Sequence, residues 1–358
     1  MFANEKKSFL PFWVPLLILI LGSCGPLVGG KAFTYREPVT DPDIIIDIYV
    51  PERVWQGTTL FSDNHNLQKP RIVEVNMRGE IVWQYLIPEN LKGHTNPGFD
   101  VELLPNNNIL FVLPRNGVYE IDRKGNVIWS YLDDKVSHDA DRLPNGNTLV
   151  VWGGVDQISD AQVKEINPKG KIVWTWSAKD YFYKSPYKEI HDEGWTHTNA
   201  ATRLPNGNTL ISPRNFNFVV EVDSKGSVVR TLGQGLLFKQ HDPSILPNGN
   251  LLAGSHRPPS AFVLSIESYA AVEIDLRTAK IVWKFEWPEW PWLGARSVKR
   301  LKNGNTLVQG GVRIVEVTPA GEIVWQLRLR EEIEKEVLST KRSYQFRSFY
   351  KAERIAPH

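Results

Sequence analysis

From about residue 57 onward the chain is a series of short runs that alternate apolar with polar positions, broken by clusters of Asn, Gly, Asp and Pro. A period of two over such short stretches predicts β-strands, and the clusters between them predict tight turns. One phrase recurs at 104–110 (LPNNNIL), 143–149 (LPNGNTL), 204–210 (LPNGNTL), 246–252 (LPNGNLL) and 301–307 (LKNGNTL). Asn-Gly between two apolar runs favours a tight hairpin turn in which both central residues take positive φ. Runs at 73–75, 118–122, 163–167, 219–223, 272–275 and 314–317 supply a third strand to each unit. A second turn follows, usually at Gly79, Gly125, Gly170, Gly226 or Gly321. A fourth run then closes on Trp83, Trp129, Trp174, Trp283 or Trp325, with Arg230 breaking the pattern in the fourth unit.

Each unit is therefore four short antiparallel strands. The repeated Pro or Lys positions, at 105, 144, 205, 247 and 302, recur every 40 to 60 residues or so, which is the pitch of a β-propeller. The longer spacings carry insertions, as at 180–195 and 257–267. Counting third strands gives six blades. The first blade lacks an innermost strand before 57–61, but 349–355 reads like 297–301. The sequence thus predicts an all-β, six-bladed β-propeller with four-stranded blades, its ring closed by the C-terminal strand, which removes exposed sheet edges. Residues 330–340, rich in Glu, Leu and Lys, predict a short helix before that strand.

A ring of this size occupies 57–358 as one domain, with 31–56 as a lead-in and 1–30 as a separate segment. A net charge of +2 with mixed signs offers no stripe for nucleic acid. No phosphate-binding loop or dinucleotide fingerprint is present. Cys24 is the only cysteine, so no internal disulfide forms. Lys6 and Lys7 precede an uncharged run over 8–30, long enough to span a bilayer once and patterned like an export signal. Leu21-Gly22-Ser23-Cys24 resembles a bacterial lipobox, which makes Cys24 a lipidation candidate. An anchor helix, a lipoprotein and a cleaved signal all remain open. All three put the ring outside the cytoplasm, on a periplasmic or other extracytoplasmic face, with the membrane as partner in the first two.

The repeat makes positions comparable between blades. The innermost strand of each blade lines the central channel. Six residues before the repeated Pro or Lys stand Phe99, His138, Asn199, His241 and Arg296. His197, two residues before Asn199, points the same way in a strand of period two. At the end of the second strand the equivalent positions are Pro114, Gly153, Arg214, His256 and Gly311, with His94 and Arg115 as neighbours on blade two. A lone histidine is usually a hydrogen-bonded core residue; three at inward positions on different blades point to a site. Asp139 and Asp242 follow their histidines and alternate to the other face, so the mouth has few carboxylates, which argues against a two-carboxylate glycosidase. Guanidinium forks match the oxygens of sulfate or phosphate. Three histidines also permit a metal site, and histidine can itself be a nucleophile.

The stretch HDADRLPNGNTL at 138–149, with His197-Thr198-Asn199, Ser212-Pro213-Arg214 and Gln240-His241-Asp242-Pro243, resembles the bacterial arylsulfate sulfotransferase family from about Gly57 to the C-terminus. The resemblance implies a six-bladed propeller that moves a sulfuryl group from a phenolic sulfate donor to a phenolic acceptor, without a nucleotide sulfate and with no cofactor or metal. It implies a ping-pong mechanism through a sulfated histidine. By position His241 would be the nucleophile, and His197 the acid and then the base. His138, Asn199 and Arg214 would hold the sulfuryl oxygens. His256, Arg296 and Arg115 stand as further substrate-binding candidates. The residues themselves leave two other readings open: a ligand-binding propeller without turnover, and a metal-dependent hydrolase or lyase on His138, His197 and His241.

Overall fold

The computed structural model of the protein describes residues 30–96, 99–256, 270–288 and 294–340, together with 343 and 346–357. The N-terminal segment with Cys24, and the insertion at 257–267, lie outside the described residues. The strands form six antiparallel sheets arranged as a six-bladed β-propeller with four-stranded blades. Blade two runs outward through Val101–Leu103, Ile109–Leu113, Gly117–Ile121 and Val127–Leu132. Blade three comprises Ala140–Arg142, Thr148–Val151, Val163–Ile166 and Ile172–Trp176. Blade four comprises Thr198–Arg203, Thr209–Pro213, Val219–Val222 and Val228–Leu232. Blade five comprises His241–Ile245, Leu251–Gly254, Ala271–Asp275 and Lys280–Phe285. Blade six comprises Ser297–Arg300, Thr306–Gln309, Arg313–Val317 and Ile323–Leu329.

Blade one is closed as the sequence predicts. Its inner strand, Phe349–Ile355, pairs antiparallel with Thr58–Asp63, and Arg71–Val75 and Ile81–Leu86 complete the four. The expected helix is Glu331–Leu338. The lead-in adds a fifth, outer strand to two blades: Lys31–Val39 pairs with blade one and Ile44–Tyr49 with blade six. The N-terminal part of the chain therefore lies across the same blade junction that the C-terminal strand seals.

The repeated phrase is a different turn from the one expected. In LPNGN, the glycine N–H donates to the Leu carbonyl three residues earlier, at 2.9 Å for Gly146 and Leu143. Gly146, Gly207, Gly249 and Gly304 have φ between 83° and 88°, whereas the asparagine before each does not have positive φ. Pro and Asn are the central pair of the turn and Gly follows in the left-handed region, a three-residue hairpin with a bulge. The first Asn accepts from the backbone two residues on, as Asn145 does from Asn147 at 3.0 Å. The second Asn reaches the third strand's glutamate: Asn147 to Glu165 and Asn208 to Glu221, each at 2.6 Å.

That glutamate is the hub of a staple between blades. Arg142 of blade three pairs with Glu120 of blade two at 2.8 Å, and its guanidinium lies 4.6 Å from the Trp129 ring. Arg203 does the same with Glu165 and Trp174, Arg300 with Glu273 and Trp283, and Arg354 with Glu316 and Trp325. Blade five has Ile245 where the arginine should be, and there Arg230 of blade four itself pairs with Glu221 at 2.8 Å. The broken tryptophan pattern is thus a compensated staple. Between staples, apolar faces pack blade on blade, with Phe61, Trp287, Trp325 and Phe349 buried in the largest cluster.

Candidate active site

Phe99, His138, Asn199, His241, Arg296 and Tyr350 each stand at or just beside the start of one of the six inner strands, at the same end of the channel. All six are buried. His197 and Arg214 of blade four and His256 of blade five join them from loop positions. The His138 and His197 ring centroids are 4.8 Å apart, and those of His241 and His256 are 4.9 Å apart. Tyr350 lies 6.4 Å from His138, and the Arg296 guanidinium lies 5.7 Å from the Tyr350 ring.

Irregular backbone sets these positions. Lys239, Asp242 and Lys351 have φ between 43° and 48°, and the inner strands of blades one and five slip register beside them. His197 itself has φ 47° and precedes the strand. It therefore reaches the mouth by a left-handed turn, not by the period-two alternation expected from sequence. Strained residues of this kind persist only where neighbours fix them. Asp156 does so here: its carboxylate accepts from the backbone N–H of Thr196 and His197, at 3.1 and 2.9 Å, and from the Thr196 hydroxyl at 2.8 Å. Gly153 leaves the room, since a Cβ there would stand 1.7 Å from the Thr198 carbonyl oxygen.

Two histidines have a fixed tautomer. Nδ1 of His241 lies 2.9 Å from the Lys239 carbonyl oxygen, and Nδ1 of His197 lies 2.8 Å from that of Glu193. A carbonyl only accepts, so Nδ1 carries the proton and Nε2 the lone pair in each neutral ring. Asn199 Nδ2 donates to the Gln240 carbonyl at 2.8 Å and so braces the strand that begins with His241. Arg296 donates to the Ser348 hydroxyl at 2.5 Å, and Arg214 lies 3.5 Å from Glu193. Four buried polar atoms at this mouth have no partner among the described residues: His138 Nδ1, His256 Nε2, Asn199 Oδ1 and the Tyr350 hydroxyl. Buried polar groups are nearly always satisfied, so such a cluster marks where a polar ligand or water belongs.

The electrostatics favour an anion. Burial, and then the Arg214 charge, push His138 and His256 down to about 3. His241 is held well below the usual histidine value by burial, then by His256 and Arg214. His197 is held down by burial, then by Arg214 and His138. Each is neutral at pH 7 while guanidinium groups stay charged beside it. Asp139 and Asp242 are not turned away from the channel as expected. With Asp100 they meet Lys351 one level below the ring: its Nζ is 3.3 Å from Asp100 and 3.6 Å from Asp242, and pairs closely with Asp139. At Asp242 and Lys351 the left-handed backbone and slipped register turn the side chains inward. Lys351 offsets part of the charge these carboxylates bring, Lys299 adds a second cation 3.0 Å from Asp242, and burial raises Asp139 to about 7.

Arg115, exposed on blade two, lines a cavity of about 500 Å3 together with His138, His197, Glu193, Trp152, Val136 and Phe346. His241, His256, Asn199, Arg214 and Arg296 do not line this cavity; they stand around the rest of the mouth. His94 Nδ1 is 3.3 Å from the carbonyl of Pro114, which lines the same cavity as His138 and His197. Among the described residues no group of three or more His, Cys, Asp or Glu has the arrangement of a metal site; the histidines meet in pairs. Tyr350, Asp156 and the Lys239 and Glu193 carbonyls were missed by sequence reasoning. Only Tyr350 had a usable signal, because matching Arg354 to Arg300 puts Tyr350 level with Arg296.

Fold and site together define a propeller whose channel mouth combines neutral histidines with guanidinium groups suited to an oxyanion. The arylsulfotransferase (ASST) family profile matches residues 48–240, more than half of the chain, and the chain belongs to that family. The matched span contains His138, His197, Asn199 and Arg214; His241 follows its last residue. No curated protein matches the chain. Among solved structures, a protein of unknown function from Bacteroides caccae is similar at TM-score 0.54 and 19% identity, over 78% of this chain and 96% of that one. A streptogramin B lyase is similar at TM-score 0.49 and 13% identity, over 85% and 88%. Virginiamycin B lyase from Staphylococcus aureus is similar at TM-score 0.41 and 14% identity, over 65% and 70%. At these identities the first likeness is one of fold, and the two lyases do not bear on the chemistry.

Proposed function

We propose that this protein is an aryl sulfotransferase that passes a sulfuryl group from a phenolic sulfate ester to a phenolic acceptor through a sulfated His241. The family supports aryl sulfotransferase activity and phenolic substrates in general. The observation that carries the finer reading is the Lys239 carbonyl 2.9 Å from His241 Nδ1. It leaves Nε2 of a neutral imidazole as a nucleophile in a mouth lined with Arg214, Arg296 and His138.

In the first half-reaction His241 Nε2 attacks sulfur and the sulfur–oxygen bond to the aryl group breaks. The departing phenolate takes a proton from Nε2 of His197. Sulfation makes the His241 ring cationic, and its Nδ1–H bond to the Lys239 carbonyl then becomes charge-assisted. In the second half-reaction an incoming phenol gives its proton to His197 Nε2 and attacks sulfur, and the nitrogen–sulfur bond breaks. His197 is neutral in the empty site; the negative charge of a bound sulfate ester raises its affinity for the proton it must donate. Sulfuryl transfer, like phosphoryl transfer, needs in-line positioning and neutralised equatorial oxygens. Arg214 and Arg296 supply the latter, His138 and Asn199 add uncharged polar contacts, His256 steadies the His241 ring, and Arg115 faces the aryl portion from the rim.

Segment 1–30 places the ring outside the cytoplasm in this reading. Fatty-acid labelling that disappears with Cys24→Ser would mark it as a lipoprotein, and labelling-negative protein that stays in the membrane would mark an anchor helix. The activity itself is tested with 4-nitrophenyl sulfate, with and without added phenol. Nitrophenol release that phenol accelerates, and that His241→Ala abolishes, is expected. Ligand binding without release in any condition would leave a binding propeller instead.

A further inference from the structure

Tyr350 occupies the sixth position of the ring and has no part in the family resemblance or in the steps above. Its backbone is clamped from several sides. The Ser62 hydroxyl donates to the Tyr350 carbonyl at 2.5 Å, and the Phe349 ring packs on Phe61 with centroids 4.9 Å apart. On the other side Lys351, in the left-handed region at φ 43°, buries its ammonium among Asp100, Asp139 and Asp242. Those three carboxylates each accept the backbone N–H of the next inner strand, from Ala140 at 3.1 Å, Ala201 at 2.7 Å and Val298 at 3.1 Å. Tyr350 is thus fixed to the same network that carries the His138 and His241 strands.

The side chain of Tyr350 is aimed at the ring. It meets His138 and the Arg296 guanidinium, and it influences Arg214. Its hydroxyl is buried and has no partner among the described residues. A buried hydroxyl left so costs about 1–3 kcal/mol, and a fold keeps such a group where a ligand completes it.

We propose that Tyr350 is a catalytic residue, whose hydroxyl donates a hydrogen bond to a nonbridging sulfuryl oxygen as the group passes to and from His241. The proposal rests on the sulfotransferase reading and adds a further neutral donor beside the Arg214 and Arg296 guanidiniums. Burial raises the phenol's pKa, so it stays protonated and donates throughout the working pH range. It neither takes nor loses a proton in the cycle.

The test is Tyr350→Phe, assayed with 4-nitrophenyl sulfate and phenol, with thermal unfolding measured in parallel. Loss of one preorganised donor lowers kcat by about 100-fold, with a smaller change in KM. Because the hydroxyl has no partner among the described residues, Tm should stay at the wild-type value or rise. A phenylalanine variant with wild-type kcat would overturn the proposal. So would a lowered Tm that accounts for the lost activity, or a sulfuryl adduct mapped to Tyr350 in place of His241. Wild-type protein that neither turns over nor forms an adduct would sink the sulfotransferase reading, and this role with it.

Discussion

Burial beside guanidinium groups keeps the channel histidines neutral, and neutrality is what a nitrogen nucleophile needs. With a good leaving group such as 4-nitrophenol, kcat/KM should therefore stay level as pH falls through about 6.5, where free histidine protonates, and decline only in more acid solution. A decline centred on the ordinary histidine value would show that His241 is not held down as its surroundings require. The same shifts have a cost in stability. The unfolded chain binds protons at these histidines before the folded one does, so stability is full above about pH 6.5 and is lost as pH drops below it. The histidine contribution to Tm therefore falls on the acid side, opposed by Asp139, which burial raises to about 7 and which gains stability from protonation there. Asp156 acts through His197: Asp156→Ala should slow donors with high-pKa phenols more than 4-nitrophenyl sulfate, because only the former depend strongly on a proton. An equal effect on both donors would assign Asp156 to folding alone. His138, Asn199, His241 and Arg296 were legible by counting back from the repeated turn, since that turn fixes register. Tyr350 was overlooked, because the inner positions were counted from the turn phrase and the 349–355 strand carries none; matching Arg354 to Arg300 would have found it. His197 was found, but for the wrong reason, as period two says nothing about a residue in the left-handed region.

At the scale of the element, the unit of construction is an Asn–Glu–Arg–Trp staple, and its strength varies with burial. The Arg354–Glu316 side chains are fully buried 3.1 Å apart, whereas Arg203 keeps 21% of its side chain exposed against Glu165. Arg354→Met should cost about 3 kcal/mol or more, since it leaves a buried carboxylate without its cation, and Arg203→Met clearly less. Thermal unfolding of the two variants checks the order; equal losses would mean that burial does not set it. The tryptophans were legible as a repeated fourth-strand position, but their arginine partners were not, because each comes from the next blade. Ile245 and Arg230, apparent lapses in separate repeats, are explained only once blades four and five are seen side by side. The Asn-Gly turn was misjudged because the residue before Asn, Pro in four copies and Lys302 in the fifth, takes a central place, leaving Gly to follow in the left-handed region.

At the scale of the whole molecule, the closing strand makes one device of fold and site. Phe349–Ile355 seals blade one, supplies the Arg354 staple, and carries Lys351 and Tyr350 into the channel. The closure was legible from the likeness of 349–355 to 297–301. The outer strands at Lys31–Val39 and Ile44–Tyr49 were not, because sheet-edge additions follow no repeat. Deleting 349 onward should expose the edge at Thr58–Asp63 and give aggregated protein; a soluble truncation with unchanged melting would contradict closure. The central claim, however, concerns a bond. Brief incubation with 4-nitrophenyl sulfate and no acceptor, an alkaline quench, and mass spectrometry of the intact chain and its peptides test it most directly. The account predicts one sulfuryl group per chain, on the peptide containing His241, that disappears when phenol is added. Turnover without any such adduct, persisting in His241→Ala, would contradict it.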